Sequence, residues 1–248
     1  MNIKPILFNT EMVQSILGGL KTCTRRLVKF LPGENPQWTG YIKDGLMLYN
    51  GTNEPCCRKP PYKIGDVLYV RETWTDHYVP NEIGKPELQY CYKADGTDIK
   101  GECLPGENNR WYPSIHMPKE AARIFLKVTD VHVERLHEID IEGIRNEGLS
   151  SAAVHCGDME IALKEWEILW NSTIKKSDLD RYGWDANPWV LVIKFERCEK
   201  PPECILKGYD KAPDDGLKCL GYMYDDNRDE LLPMCEKCSY QASYESEE

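Results

Sequence analysis

The densest polar cluster of the chain is Gly19-Leu20-Lys21-Thr22-Cys23-Thr24-Arg25-Arg26, directly after an apolar helical stretch. These residue types suit acyl transfer. A threonine hydroxyl is a weak nucleophile until a neighbouring base takes its proton. A lysine can be that base when burial or adjacent cations lower its pKa toward neutrality. Lys21 has such neighbours in Arg25 and Arg26, and three residues of separation in a turn bring its amine within reach of the Thr24 hydroxyl. Arg26 suits holding a phosphate or polarising a carbonyl. The same types also suit a structural part, because cations stabilise a helix C-terminus and threonine is ordinary in turns. The end of this cluster is no phosphate loop, since Gln14 stands where its first glycine belongs. There is no GxGxxG and no HExxH, so ATP, NAD and a zincin site lack support.

A second group of chemical residues lies at the other end. Cys204, Cys219, Cys235 and Cys238 are spaced C-x14-C-x15-C-x2-C, with Cys198 as a fifth candidate. A C-x2-C pair presents two thiolates to one tetrahedral metal, and two more close a structural zinc site. A short acidic segment has little else to fold around, and metal binding supplies the missing stability. The other reading is a disordered tail with free thiols. The chain has eleven cysteines, an odd count without a secretory leader, so reduced thiols or a metal site are expected rather than a disulfide framework.

These residues sit in 248, of which 41% are hydrophobic, enough for a buried core and too many for a disordered chain. No apolar run approaches the roughly 20 residues of a membrane helix, so no membrane partner and a cytoplasmic location are expected. The net charge is −10, but it is uneven. Residues 199–248 hold 13 acids and 6 bases, whereas residues 1–75 hold 10 bases and 6 acids. A local basic face binds phosphate or a polar nucleotide even on an anionic molecule.

The chemistry needs elements to position it. Residues 1–198 read as one folded domain, and 199–248 as a tail beginning at Glu199-Lys200-Pro201-Pro202. Pro5-Ile6-Leu7-Phe8 reads as a strand. Thr10 then caps a helix with Met12, Val13, Ile16 and Leu17 on one face, ended by Gly18-Gly19. Residues 31–62 form an insertion with a hairpin around Lys43-Asp44-Gly45. A strand follows over 67–72, with Trp74 two residues beyond Glu72 and so on its face, and Arg71 pointing to solvent. Residues 76–112 read as a second insertion, containing a strand at Tyr90-Cys91-Tyr92. The longest strand runs over 122–136 with a bulge near Thr129-Asp130, followed by helices over 139–147 and 159–172 and a last strand over 189–195. Short strands with few helices suggest a small, partly closed α+β barrel with helices over its ends.

Two segments carry a family resemblance. Residues 19–26 resemble the G-x-K-x-x-[T/S/E]-x-R signature of ASCH-domain proteins, with Gly19, Lys21, Thr24 and Arg26 in its four positions. Gly65-Asp66-Val67-Leu68-Tyr69-Val70-Arg71-Glu72 resembles the second signature, G-D-x-L-x-V-x-E. With the N-terminal strand and helix and the closing Asn187-Pro188-Trp189 strand, the resemblance covers most of residues 3–197, and is strongest to the long, phage- and prophage-associated branch. It implies a PUA-like β-barrel that binds RNA or modified nucleosides. For small members it implies amide hydrolysis of N4-acetylcytidine with catalytic Lys, Thr and Glu, which carry over onto Lys21, Thr24 and Glu72. Glu72 would then orient Lys21 or relay a proton to the departing amine.

The expected function is therefore binding of a modified nucleoside, RNA or DNA, with hydrolysis of an N4-acylated cytidine as the enzymatic version and no cofactor for catalysis. The alternatives are a non-catalytic RNA- or DNA-binding module and a ribonuclease. For base stacking, Trp74, Tyr78 and Trp111 join Arg26 as binding candidates, since aromatic faces hold bases; core packing is the plainer expectation for Tyr69. Trp166, Trp170, Trp184 and Trp189 read as core, and the five scattered histidines receive no role. For the tail, metal analysis of freshly reduced protein is expected to find about one zinc per chain, as a four-thiolate site requires; a substoichiometric content contradicts the metal reading.

Overall fold

The last strand, β9 (Trp189–Cys198), is apolar at five consecutive positions, which a strand tolerates only when both of its faces are covered. The computed structural model describes residues 3–34, 41–50, 52–80, 83–96 and 110–201, and shows both coverings. Leu191, Ile193 and Phe195 point into one apolar cluster, while Val190 and Val192 point into another. This is the period-2 alternation of a pleated strand, used on two sides at once.

On the first side lies a five-stranded sheet in the order β1-β5-β8-β9-β2. Its strands are β1 (Ile3–Leu7), β5 (Val67–Arg71), β8 (Phe125–Arg135), β9 and β2 (Cys23–Leu27). β1 runs parallel to β5, and the other pairings are antiparallel. The β8–β9 ladder shifts register between Val128 and Asp130. That bulge keeps Leu126 and Val128 on the same face as Val131 and Val133, all four in one cluster. An unbulged strand would turn the second pair outward. Helix α1 (Thr10–Leu17) buries Val13 and Ile16 against this face. Burying each such side chain contributes about 1.5–3 kcal/mol.

The opposite face of β9 carries α2 (Ile141–Asn146), α3 (Ala152–Cys156), α4 (Met159–Thr173) and, beyond them, the short α5 (Leu179–Tyr182). Ile144, Val154, Trp166 and Trp170 pack there on Leu136, Val190 and Val192. Two antiparallel ribbons stand apart from the main sheet. One pairs β3 (Tyr41–Lys43) with β4 (Met47–Tyr49), around a turn in which Asp44 and Gly45 have positive φ. The other pairs β6 (Trp74–Pro80) with β7 (Pro86–Tyr92).

The architecture is thus a mixed α+β sheet, and it corrects several expectations. The barrel expected to be partly closed is found as a five-stranded sheet in which no ladder joins β1 to β2 at the two ends of the strand order. The cap of α1 is Asn9, whose side chain accepts from Met12 N at 2.8 Å, and Thr10 is the first helical residue. Residues 23–27 form an edge strand on β9 rather than a turn, although two arginines stand in it. The strand carrying Arg71 stops there, so Trp74 opens a separate ribbon instead of continuing on the face of Glu72. Arg71 is half-buried and tied to the chain rather than free in solvent. Its Nε donates to Met117 O at 2.9 Å and its Nη2 to Ile115 O. Cys91 is disulfide-bonded, whereas reduced thiols or a metal site are the expected uses, and Cys23, Cys56, Cys57, Cys156 and Cys198 are free thiols.

Candidate functional site

Where the chain leaves β1, Phe8 stays with the sheet by donating its backbone N–H to Arg71 O at 3.2 Å. Its ring gathers two cations. Arg26 Cζ lies 5.3 Å and Lys21 Nζ 5.8 Å from its centroid, distances at which a π face attracts positive charge. The register of β2 explains Arg26. It stands opposite Leu191, and Thr24 opposite Ile193, so both take the inward face, while Arg25 opposite Val192 takes the outward one. Arg26 Nη2 donates to Leu7 O at 2.7 Å, the side-chain bond that links the two unpaired strands. Thr24 is buried at 2% exposure, and its hydroxyl takes no hydrogen-bond partner among the described residues.

Lys21 is committed elsewhere. It forms an isolated bridge with Glu147, and its Nζ donates to Glu147 Oε2 at 2.6 Å and Glu147 O at 2.8 Å. The other oxygen, Glu147 Oε1, accepts from Arg25 Nη1 at 3.3 Å. The chain of charges continues outward. Arg25 Nε meets Glu134 Oε1 at 2.8 Å, and Glu134 Oε2 lies 3.4 Å from His132 Nε2. His132 Nδ1 in turn lies 2.9 Å from Asp130 Oδ2. Burial alone would pull the Arg25 guanidinium down, but Glu147 and Glu134 together leave it above its ordinary value. Burial, with Glu147 adding to it, pushes the Cys23 thiol up to about 12. Cys23 is therefore a thiol at neutral pH and no nucleophile.

Glu147 closes α2 and precedes Gly148, whose φ is +96°. A Cβ there would lie 2.9 Å from Ser15 Cβ and 3.1 Å from Lys21 Cβ, so glycine permits the approach that brings Glu147 to Lys21. Nothing local ties Glu147 to a lysine 126 positions away. One signal was present: an acid at a helix C-terminus opposes the macrodipole and calls for a cation.

Glu72, the third member expected of the catalytic set, pairs with a different cation. At 1% exposure it accepts from Arg123 Nε and Nη2, both at 3.0 Å. Arg123 also donates to Asp95 at 2.8 Å and lies 3.9 Å over the Tyr92 ring. Burial raises the pKa of Glu72, and the Arg123 bonds oppose that shift. The reason for this pairing is topological. Val70 N donates to Ile124 O, which puts the end of β5 beside the residues that lead into β8. No hydrogen bond among the described residues joins Lys21, Thr24 and Glu72 to one another. The Phe8–Arg71 bond nevertheless places Glu72 at the same end of the sheet as Phe8.

A cleft of about 490 Å³ opens between β1 and β2. Ile6, Val133, Leu191 and Ile193 line it from the sheet, Arg26 and Lys29 from β2 and its continuation, and residues 57–62 of the expected insertion from the other side. Trp74, Tyr78 and Trp111 are not among its lining residues. Trp74 is buried in the third apolar cluster, 5.8 Å from Tyr90 and 5.2 Å from Tyr112 between ring centroids. Tyr78 is exposed on β6, and Trp111 is half-buried. The four tail cysteines, Cys204, Cys219, Cys235 and Cys238, lie outside the described residues. Among the described residues, no group of three or more His, Cys, Asp or Glu is placed to hold a metal ion. No helix among them is long and apolar enough to cross a membrane.

No protein-family model and no curated protein matches the chain. Among solved structures, an ASCH domain from Lactobacillus crispatus JV V101 aligns over 80% of this chain and 81% of its own, at 11% identity and a TM-score of 0.33. A score that low does not establish a shared fold.

The buried network makes a stability prediction. Removing one member of a buried ion pair strands its partner, at a cost of about 3–5 kcal/mol. Glu147→Ala strands Lys21 and leaves Arg25 with Glu134 alone, and urea unfolding is expected to show a loss of that order. Glu160→Gln, which breaks an exposed pair with Lys164, is expected to leave the midpoint unchanged. Equal midpoints for both variants would contradict the network.

Proposed function

We propose that this chain binds a nucleoside-type ligand in the cleft between β1 and β2, and that it hydrolyses the amide of an N4-acylated cytidine with Lys21, Thr24 and Glu72, which do not line the cleft themselves but of which Lys21 adjoins its Arg26 wall over the Phe8 ring. The observation that carries the binding is the cleft itself. Its volume suits a small ligand, its floor is aliphatic, and Arg26 stands at its wall as a polar group to fix orientation. The motif resemblance of residues 19–26 and 65–72 supplies the ligand class. Thr24 shares the inward face with Arg26 and carries an unpartnered hydroxyl, the condition of a group left for a substrate.

In this reading Lys21 first passes a proton to Glu147 Oε2 and then takes the Thr24 hydroxyl proton as the Thr24 oxygen attacks the acyl carbonyl, and the acyl C–N bond breaks to release the cytidine amine. Water then resolves the acyl-threonine. Glu147 replaces Glu72 as the group that orients Lys21, since it holds the amine directly. Glu72 is the acid for the departing amine in this reading; burial raises its pKa, and the two bonds from Arg123 oppose that shift.

A second reading, binding without catalysis, is favoured by one observation. An amine held by both a carboxylate and a backbone carbonyl is occupied by the fold rather than left for chemistry. A panel of N4-acylated cytidines separates the two, with cytidine release followed by chromatography in wild type, Thr24→Ala, Lys21→Ala and Glu72→Gln. Hydrolysis predicts release by wild type and a loss of about 10²-fold or more in Thr24→Ala. Equal rates in all four proteins contradict the catalytic assignment. Cytidine binding without any release supports the non-catalytic reading.

A further inference from the structure

The cleft carries more positive charge than a neutral nucleoside needs. Among the described residues, four cations line it, Arg26, Lys29, Arg58 and Lys59, and no Asp or Glu does, in a chain whose net charge is −10. Several buried or half-buried cations elsewhere are paired, Lys4 with Asp66, Lys21 and Arg25 with Glu147, and Arg123 with Glu72 and Asp95. Lys29, Arg58 and Lys59 have no carboxylate partner among the described residues, and all three are exposed at the cleft.

Their placement is built rather than incidental. Arg58 N donates to Lys29 O at 2.8 Å, and Phe30 bridges Cys57, so the segment bearing Arg58 and Lys59 runs alongside the continuation of β2. Cys57 is buried beneath it, with its sulfur accepting from Leu48 N at 3.4 Å. On the far side Tyr62 Oη donates to Pro5 O at 2.8 Å, fixing the segment to β1. Between these anchors Pro60 and Pro61 restrict the backbone by their fixed φ. Residues 57–62 therefore span the gap between the two unpaired strands and hold two cations over it.

We propose that residues 57–62 make the cleft a phosphate clamp, so that the ligand is a nucleotide unit rather than a free nucleoside. The proposal rests on the reading of the cleft as a nucleoside site. Arg58 and Lys59, with Lys29, take the phosphate as charge-assisted donors, and the floor of Ile6, Val133 and Leu191 receives the uncharged part. A low-dielectric wall on one side strengthens the field that these cations place over the cleft.

Calorimetric titration at low salt tests this with cytidine, cytidine 5′-monophosphate, hexacytidylate and pyrophosphate, in wild type and in Arg58→Ala/Lys59→Ala. The monophosphate is expected to bind wild type about tenfold or more tightly than cytidine, the scale of one charge-assisted contact. The double variant is expected to lose that preference, and thermal melts confirm that it folds. Tighter binding of hexacytidylate than of the monophosphate places the clamped phosphate in a strand, and the reverse order places it on a free nucleotide; either supports the clamp. Equal affinity of wild type for cytidine and its monophosphate overturns the clamp and leaves the nucleoside reading standing. If neither binds, the nucleoside reading falls. Pyrophosphate bound by wild type and not by the double variant then sustains the clamp, and pyrophosphate bound by neither overturns it.

Discussion

Two strands of one sheet approach each other without pairing, and the rest of the molecule is arranged around that gap. β1 and β2 stand at opposite ends of the strand order, and the curl of the sheet brings them close enough for Arg26 to reach Leu7 O, yet no ladder forms between them. A closed barrel would satisfy both edges and leave its interior to side chains. Here the edge groups are served piecemeal, by the Arg26 guanidinium and by Tyr62 Oη on Pro5 O. The space left over is the cleft. Its floor is the apolar face that the bulge in β8 keeps continuous, so the feature that completes the core also gives the cleft a dry base.

Around Phe8 the structure solves a second problem, the burial of like charges. Lys21, Arg25 and Arg26 lie within six residues, and two of them are almost fully buried. Such cations persist inside a protein only when paired. Glu147 divides its two oxygens between Lys21 and Arg25, and Glu134 takes the other side of Arg25, passing charge outward to His132 and Asp130. Arg26 is left with a carbonyl and an aromatic face, which makes it the member of the cluster that remains at the cleft. The fold thus sorts three adjacent-looking cations into two that hold the helix layer to the sheet and one that faces the cleft.

What the sequence made legible follows from period and punctuation. The bulged strand near Thr129-Asp130, the hairpin at Lys43-Asp44-Gly45 and the helix at residues 159–172 are encoded by local apolar spacing and turn residues, and each is present. The strand β2 was not legible, because Cys-Thr-Arg-Arg reads as a polar turn until the acids that neutralise it are known, and those lie more than a hundred positions away. The face of Trp74 was misread for a related reason: alternation holds only while a strand continues, and the chain leaves the sheet after Arg71. The same distance effect hid Glu147 as the partner of Lys21 and gave Glu72 to Arg123. The signature residues Lys21, Thr24, Arg26 and Glu72 could be picked out by type and spacing. Their partners are set by topology, which local spacing does not contain.

Hydrogen exchange with and without saturating cytidine 5′-monophosphate tests most directly that the gap between the unpaired strands is where ligand sits. The account predicts new protection confined to residues 5–8, 26–30 and 57–62, the two strand edges and the segment that spans them. Protection falling instead on the β6–β7 ribbon, with those three stretches unchanged, would contradict it.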